Sequence, residues 1–299
     1  MRTAQQHLII SDQLTFAEFA NSWKMAYFVM PAAVVAAVVN RRPLRRNANL
    51  RREPYSSEED IRAAVRLTEA EIGLLSVEYN QWRSLQSGIA ARNEQSAQRM
   101  LEFLAYLARG GYYHQIALPA GVAKSTVILH VHDVAQFFAS TAQQFIALPQ
   151  PNEFPALTSP LHTANQQHRV ILYVDGFIVK IQRPDHAGDA YFCGRHGKTC
   201  DSINVQYVTD RFGRIRHVVT GLSGATHDKT AISWSANFMA FLNALPPEYV
   251  VLGDPAYRGL HPQVITTFSG GNLTAAQLQF NDDCTRLRQV GLHYNCKHI

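Results

Sequence analysis

Two aspartates stand at the polar ends of runs rich in β-branched residues. Asp175 follows Val170-Ile171-Leu172-Tyr173-Val174, and Asp254 follows Tyr249-Val250-Val251-Leu252-Gly253. Such runs make strands buried on both faces, and a carboxylate on the last residue reaches the sheet edge, where loops leave a crevice. A third acid, Asp228, follows the Gly/Ser turn Gly221-Leu222-Ser223-Gly224-Ala225-Thr226-His227. Three carboxylates meeting at one end of a sheet suit Mg²⁺ or Mn²⁺, which take oxygen ligands. Each acid also has a plainer reading. Asp254 precedes Pro255 and, taken alone, reads as a turn residue; Asp228 sits where a helix cap belongs. His227 reads as a hydrogen-bonding neighbour of a carboxylate or phosphate rather than a ligand. Asp210 reads as a hairpin residue with no catalytic part.

The elements that must position these acids begin at Arg169, where the texture changes to strands. The first strand ends at Asp175, a second covers residues 202–209, Asp210-Arg211-Phe212-Gly213 turns a hairpin, and a third covers residues 214–220. A helix over residues 230–245 then leads into the Asp254 strand. The order β-β-β-α-β predicts an α/β fold with an RNase H-like mixed sheet, in which the first and fourth strands are neighbours.

Upstream the chain reads as helical. A basic cluster, Arg41-Arg42-Pro43-Leu44-Arg45-Arg46 and then Arg51-Arg52, has no hydrophobic periodicity and is a loop or arm. It suits a solvated linker as well as a phosphate-contacting arm or nuclear localisation signal. Ser56-Ser57-Glu58-Glu59-Asp60 opens a helix that carries on through Ile61, Val65 and Leu67. Residues 99–109 repeat apolar positions at helical spacing, and Gly110-Gly111 stops them. A short helix over residues 112–117, a turn at Gly121-Val122, and a third helix from Ala123-Lys124 to about Phe138 have the helix-turn-helix pattern. In that pattern Lys124, Ser125 and Thr126 face DNA. His130 and His132 on the same segment read as surface or core histidines, not ligands. Residues 147–168, with Pro149, Pro151, Pro155 and Pro160, read as a linker. The expected division is therefore 1–94 helical, basic and unassigned; 95–146 helix-turn-helix; 147–168 linker; 169–299 α/β.

With 299 residues, 46% hydrophobic and 17% charged, the chain is long and apolar enough for packed cores in two domains, and disorder is excluded as its general state. A net charge of +5 and a pI near 9.1 favour a polyanionic partner, nucleic acid first. The cysteines, Cys193, Cys200, Cys284 and Cys296, have no zinc-site spacing and read as free thiols. The apolar run over residues 25–39 is broken by Pro31 and falls short of the ~20 residues that span a bilayer. An intracellular, reducing setting is expected.

The chain resembles the PIF/Harbinger transposases and the domesticated Harbinger-derived nucleases. The resemblance covers about residues 95–290. It rests on Val174-Asp175-Gly176, on Tyr191-Phe192-Cys193-Gly194-Arg195-His196-Gly197, on Ser223-Gly224-Ala225-Thr226-His227-Asp228, on Leu252-Gly253-Asp254-Pro255-Ala256-Tyr257, and on Phe280-Asn281. It implies a metal-dependent DDE endonuclease acting on duplex DNA, with Asp175, Asp228 and Asp254 at the acidic positions, a nuclear location and a companion DNA-binding protein. Two divalent ions about 4 Å apart would clamp the scissile phosphate, and no Ser or Cys nucleophile is needed. The pattern fails at its end. The family's last acid is a glutamate in a stretch like Arg-x-x-Val-Glu, and here Leu292 falls on that position. The chain then stops, so it is expected to be truncated, with a tail that does not continue the family's helix. Asp282 and Asp283 are the nearest acids, about three turns too early. Two classes follow: a transposase-type nuclease with impaired cutting, or a non-catalytic DNA-binding protein.

Overall fold

The computed structural model describes residues 58–87, 93–109, 112–162, 167–181, 183, 189–194 and 200–296. The arginines at 41, 42, 45, 46, 51 and 52, the apolar run at 25–39 and residues 195–197 of the Tyr191–Gly197 stretch lie outside these.

The described N-terminal part is a group of five helices. α1 (Glu58–Val65) stops at Arg66, whose φ of 60° is left-handed. Leu67 therefore lies beyond α1, and a separate α2 (Glu69–Ser87) follows. The signal for α2 is local: the Thr68 hydroxyl accepts the Glu71 amide, while the Glu71 carboxylate accepts the Thr68 amide, a reciprocal cap. α3 (Asn93–Arg109), α4 (Tyr113–Ala120) and α5 (Lys124–Thr141) complete the group. Gly121 takes φ 67°, which lets the chain turn between α4 and α5. Tyr79, Met100, Phe103, Leu104, Ile116, Val127, Val131, Val134 and Phe138 form the core. Asp133 on α5 ties three helices together by accepting from Tyr79 and pairing with Arg83 and Arg99. His130 pairs with the buried Glu102 of α3 at 2.7 Å, so it is a structural histidine.

The segment read as a linker is structured. A 3₁₀ turn (Pro151–Glu153), α6 (Phe154–Leu157) and β1 (Ser159–His162) occupy it, and β1 pairs antiparallel with the start of β2 (Gln167–Lys180). Phe154, Leu157 and Leu161 are buried in the cores of the α/β part. Pro151 and Pro155 sit at helix starts and Pro160 on an edge strand, where no backbone N–H is needed.

β2 is the centre of a seven-stranded sheet. It pairs antiparallel with β4 (Cys200–Thr209) and parallel with β6 (Tyr249–Gly253). β5 (Ile215–Ser223) pairs antiparallel with β4, and β7 (Val264–Thr266) parallel with β6, while the short β3 (Phe192–Cys193) joins the far end of β4. Thus the first long strand lies between the second and the one that follows the helices. The expected single helix before β6 is two, α7 (Asp228–Ser233) and α8 (Ala236–Ala244), divided because Ser235 caps α8 through Phe238 N–H. The sheet has apolar cover on both faces. Val174, Ile232, Phe238, Leu242, Val251 and Tyr257 pack on one side; Tyr173, Tyr207, Leu252, Phe280 and Cys284 pack on the other, the latter two from α9 (Ala275–Cys296). No helix among the described residues is long and apolar enough to cross a membrane.

Candidate active site

Asp175 lies inside β2, not at its end, because the strand runs on to Lys180 in unbroken register with β4. Gly176 could have ended the strand by its flexibility, but Phe177, Ile178 and Val179 restore strand propensity. Asp254 follows the last residue of β6 as expected. The parallel β2–β6 register ends at the pair Tyr173–Leu252, so Asp175, two residues on, and Asp254, directly after β6, stand at the same end of two paired strands, close enough for the charge of Asp254 to act on Asp175. Alternation puts Asp175 on the same face as Tyr173, and Asp254 on the same face as Leu252. Tyr173 and Leu252 share the core that α9 covers. Asp175 therefore opens toward α9, where Arg288 meets it.

Asp228 does not join Asp175 on that face. Its Oδ1 accepts from Asn204 Nδ2 at 2.9 Å and from Gln206 Nε2 at 2.8 Å, and it lies 3.1 Å from where a Cβ on Gly176 would stand. Gly176 and Gln206 are cross-strand partners, and Gly176 points opposite to Asp175 by the pleat. Asp228 is the first residue of α7, and the capping position belongs to His227. The turn after Gly221 thus delivers Asp228 to the amides of Asn204 and Gln206 beside Gly176. Asp254 does keep a turn role: its carboxylate accepts from Ala256 N–H at 2.9 Å and caps the 3₁₀ turn Pro255–Tyr257. Asp210 is a hairpin acceptor for Phe212 and Arg214, as expected.

Burial pushes the Asp175 carboxyl above the usual carboxylate range, and the charges of Asp254 and Asp228 push the same way. The N–H of Gly176 and the guanidinium of Arg288 oppose the rise. Arg288 carries no motif that marks it as a site residue in the sequence. It projects from α9 with Nη2 3.6 Å from Asp175 Oδ2, and its Nε is buried without a hydrogen-bond partner among the described residues. The tail does continue as helix, through Leu292 to Cys296. Asp283 pairs with Arg286 on the same helix, and Asp282 is exposed.

Two carboxylates on adjacent strands fit a hard divalent cation in kind. Among the described residues no group of three His, Cys, Asp or Glu side chains is close enough to hold one. Asp228 is held instead by the amides of Asn204 and Gln206.

Buried residues that sequence reasoning passed over sit behind the acids. Tyr257 donates its hydroxyl to Gln206 Oε1. Gln206 Nε2 also donates to Asn204 Oδ1 at 2.6 Å, and Asn204 Nδ2 to Thr226 O at 3.0 Å. Polar residues at 204 and 206, inside a run otherwise fit for a buried strand, are the signal that could have found them.

In the helical part, Lys124 is exposed at the start of α5, with Ser125 and Thr126 half-buried beside it, directly after the Gly121 turn.

No curated protein and no solved structure matches the chain. Residues 174–295, the stretch that contains Asp175, Asp228, Asp254 and Arg288, match the family model described as DDE superfamily endonuclease.

Proposed function

We propose that the chain is a transposase-derived protein of PIF/Harbinger type whose α/β part is an RNase H-like nuclease body acting on duplex DNA with Mg²⁺ or Mn²⁺, and that its cutting is impaired. The observation that carries this reading is that Asp175 on β2 and Asp254 directly after β6 stand at the same end of two paired parallel strands, with the charge of Asp254 acting on Asp175, inside a segment that resembles a DDE endonuclease. The strand order, with three antiparallel strands and then a parallel fourth beside the first, supports the RNase H-like assignment. Asp175 and Asp254 would hold a divalent ion, which would supply charge neutralisation at the scissile phosphate. The chain's own part is to keep Asp175 in a partly desolvated place beneath α9 and Asp254 fixed on its turn.

The helix-turn-helix assignment rests on α4, the Gly121 turn and α5, with Lys124, Ser125 and Thr126 as DNA contacts. The arginines at 41, 42, 45 and 46 would add contacts to phosphates, in a nuclear protein that works with a companion DNA-binding protein.

A second reading, a domesticated DNA-binding protein without catalysis, is favoured by one feature: α9 offers Asp175 a cation, Arg288, and has leucine at 292. A Mn²⁺-dependent cleavage assay on duplex DNA separates the two. Weak cleavage that is lost in Asp175→Ala supports the nuclease reading. DNA binding with no cleavage at any Mn²⁺ concentration leaves the second.

A further inference from the structure

Asp228, half-buried, ends a chain of hydrogen bonds that runs inward to the turn carrying Asp254. Tyr257, at the end of that turn, is fully buried, and its hydroxyl donates to Gln206 Oε1. A phenol proton can satisfy only the oxygen end of the amide, so this bond sets which way Gln206 faces. Its NH₂ group then has two hydrogens, and both are used, one on Asn204 Oδ1 and one on Asp228 Oδ1. The NH₂ of Asn204 is likewise fully used, on Thr226 O and on Asp228 Oδ1. No amide hydrogen is left over. With both amide NH₂ groups fully used, the two amides have one orientation, which makes this network a rigid spacer.

The spacer touches both strands of the acid pair from behind. Gly176, the residue after Asp175, lies against it: a side chain there would run into Gln206 Nε2. Gly253, the residue before Asp254, admits the Tyr257 ring, with Tyr257 Cδ2 3.0 Å from where its Cβ would be. α7, which begins at Asp228, packs on β4 and on the Pro255–Tyr257 turn.

We infer that Asp228, Gln206, Asn204 and Tyr257 are positioning residues: they set the spacing of Asp175 and Asp254 from the opposite face of the sheet, and Asp228 is not itself an ion ligand. The inference rests on the reading of Asp175 and Asp254 as the ion-facing pair.

The test is a Mn²⁺ titration of the full chain, followed by the electron paramagnetic resonance signal of free Mn²⁺, together with thermal melting of the ion-free protein. Asp175→Asn and Asp254→Asn should abolish binding. Asp228→Asn, Gln206→Met and Tyr257→Phe should each keep one-site binding and weaken it three- to tenfold. Tyr257→Phe combined with Asp228→Asn should weaken it no more than either alone, because both break one network. Tyr257→Phe removes a single hydroxyl and is the variant least able to unfold the protein. Abolition of binding by Asp228→Asn, with Tyr257→Phe and Gln206→Met unchanged from wild type, would make Asp228 a direct ligand and overturn the inference. Additive melting shifts for Tyr257→Phe and Asp228→Asn in the ion-free protein would overturn it as well. A wild-type chain that takes up no Mn²⁺ overturns the metal reading under Proposed function, and with it the positioning role.

Discussion

Arg288 on α9 faces Asp175 on β2 across a gap of 3.6 Å, and both side chains are about three-quarters shielded from solvent. The guanidinium is thus the charge that α9 brings to a carboxylate which burial makes costly to ionise. Replacing it leaves Asp175 without that compensation. Arg288→Gln is expected to lower stability by about 1 kcal/mol in chelator-treated protein, measured by urea unfolding. The same substitution removes a like charge from any incoming cation, so Mn²⁺ should bind more tightly to Arg288→Gln than to wild type. Unchanged unfolding and unchanged Mn²⁺ binding would mean that the pair has no energetic weight.

Leu292 is four residues beyond Arg288 on a helix that continues to Cys296, and residues at that spacing share a helix face. Leu292→Glu restores the carboxylate that the resemblance to the DDE endonucleases places at this position. It is expected to raise Mn²⁺ affinity at least tenfold and to give Mn²⁺-dependent cleavage of duplex DNA where wild type gives little. Because the helix already runs past this position, a single substitution should suffice, without a replaced tail. Cleavage by wild type equal to that of Leu292→Glu would show that the last ligand lies elsewhere, and Asp282 and Asp283 would be tested next.

DNA binding is expected to depend on the start of α5. Lys124→Ala should reduce affinity with a shallower salt dependence, each lost phosphate contact changing the log-log slope by about 0.9. Ser125→Ala should alter sequence preference more than affinity. Binding measured by fluorescence anisotropy across a salt series checks both, and a double variant with wild-type affinity and slope would remove α5 as the contacting helix.

His217 provides a pH test away from the acids. Burial pulls its pKa down from the ordinary 6.5 to about 4, its ring stacks on Phe238, and its Nε2 lies 2.7 Å from the Ser235 hydroxyl. The folded protein thus keeps the ring neutral while the unfolded chain protonates it below pH 6.5. Its stabilising effect is whole above pH 6.5 and is lost progressively as the pH falls from 6.5 toward 4, about 3 kcal/mol in all. Urea unfolding at pH 7 and pH 5 should show the loss, and His217→Phe should flatten it.

The residue order by itself determined that Val170–Val174 and Tyr249–Gly253 are strands, that aspartates follow them, and that a helix starts near Lys124 after a glycine turn. Those features depend on near neighbours in the chain: β-branched runs, caps and glycines act over a few residues. Tertiary structure alone decided which way each acid faces. A register shift between Val170 and Leu172 resets the alternation along β2, so the face of Asp175 cannot be counted from the strand's start. Asp228 was legible as a carboxylate after a turn, but its partners, Asn204 and Gln206, stand more than twenty residues away on β4, and residue type does not encode that meeting. The same holds for Arg288, which reaches Asp175 only because Phe280, Cys284 and Leu287 press α9 onto the sheet. The segment at 147–168 misled for a related reason: prolines favour linkers in isolation, yet an edge strand and a helix start accept them at no cost once a sheet is there to receive β1.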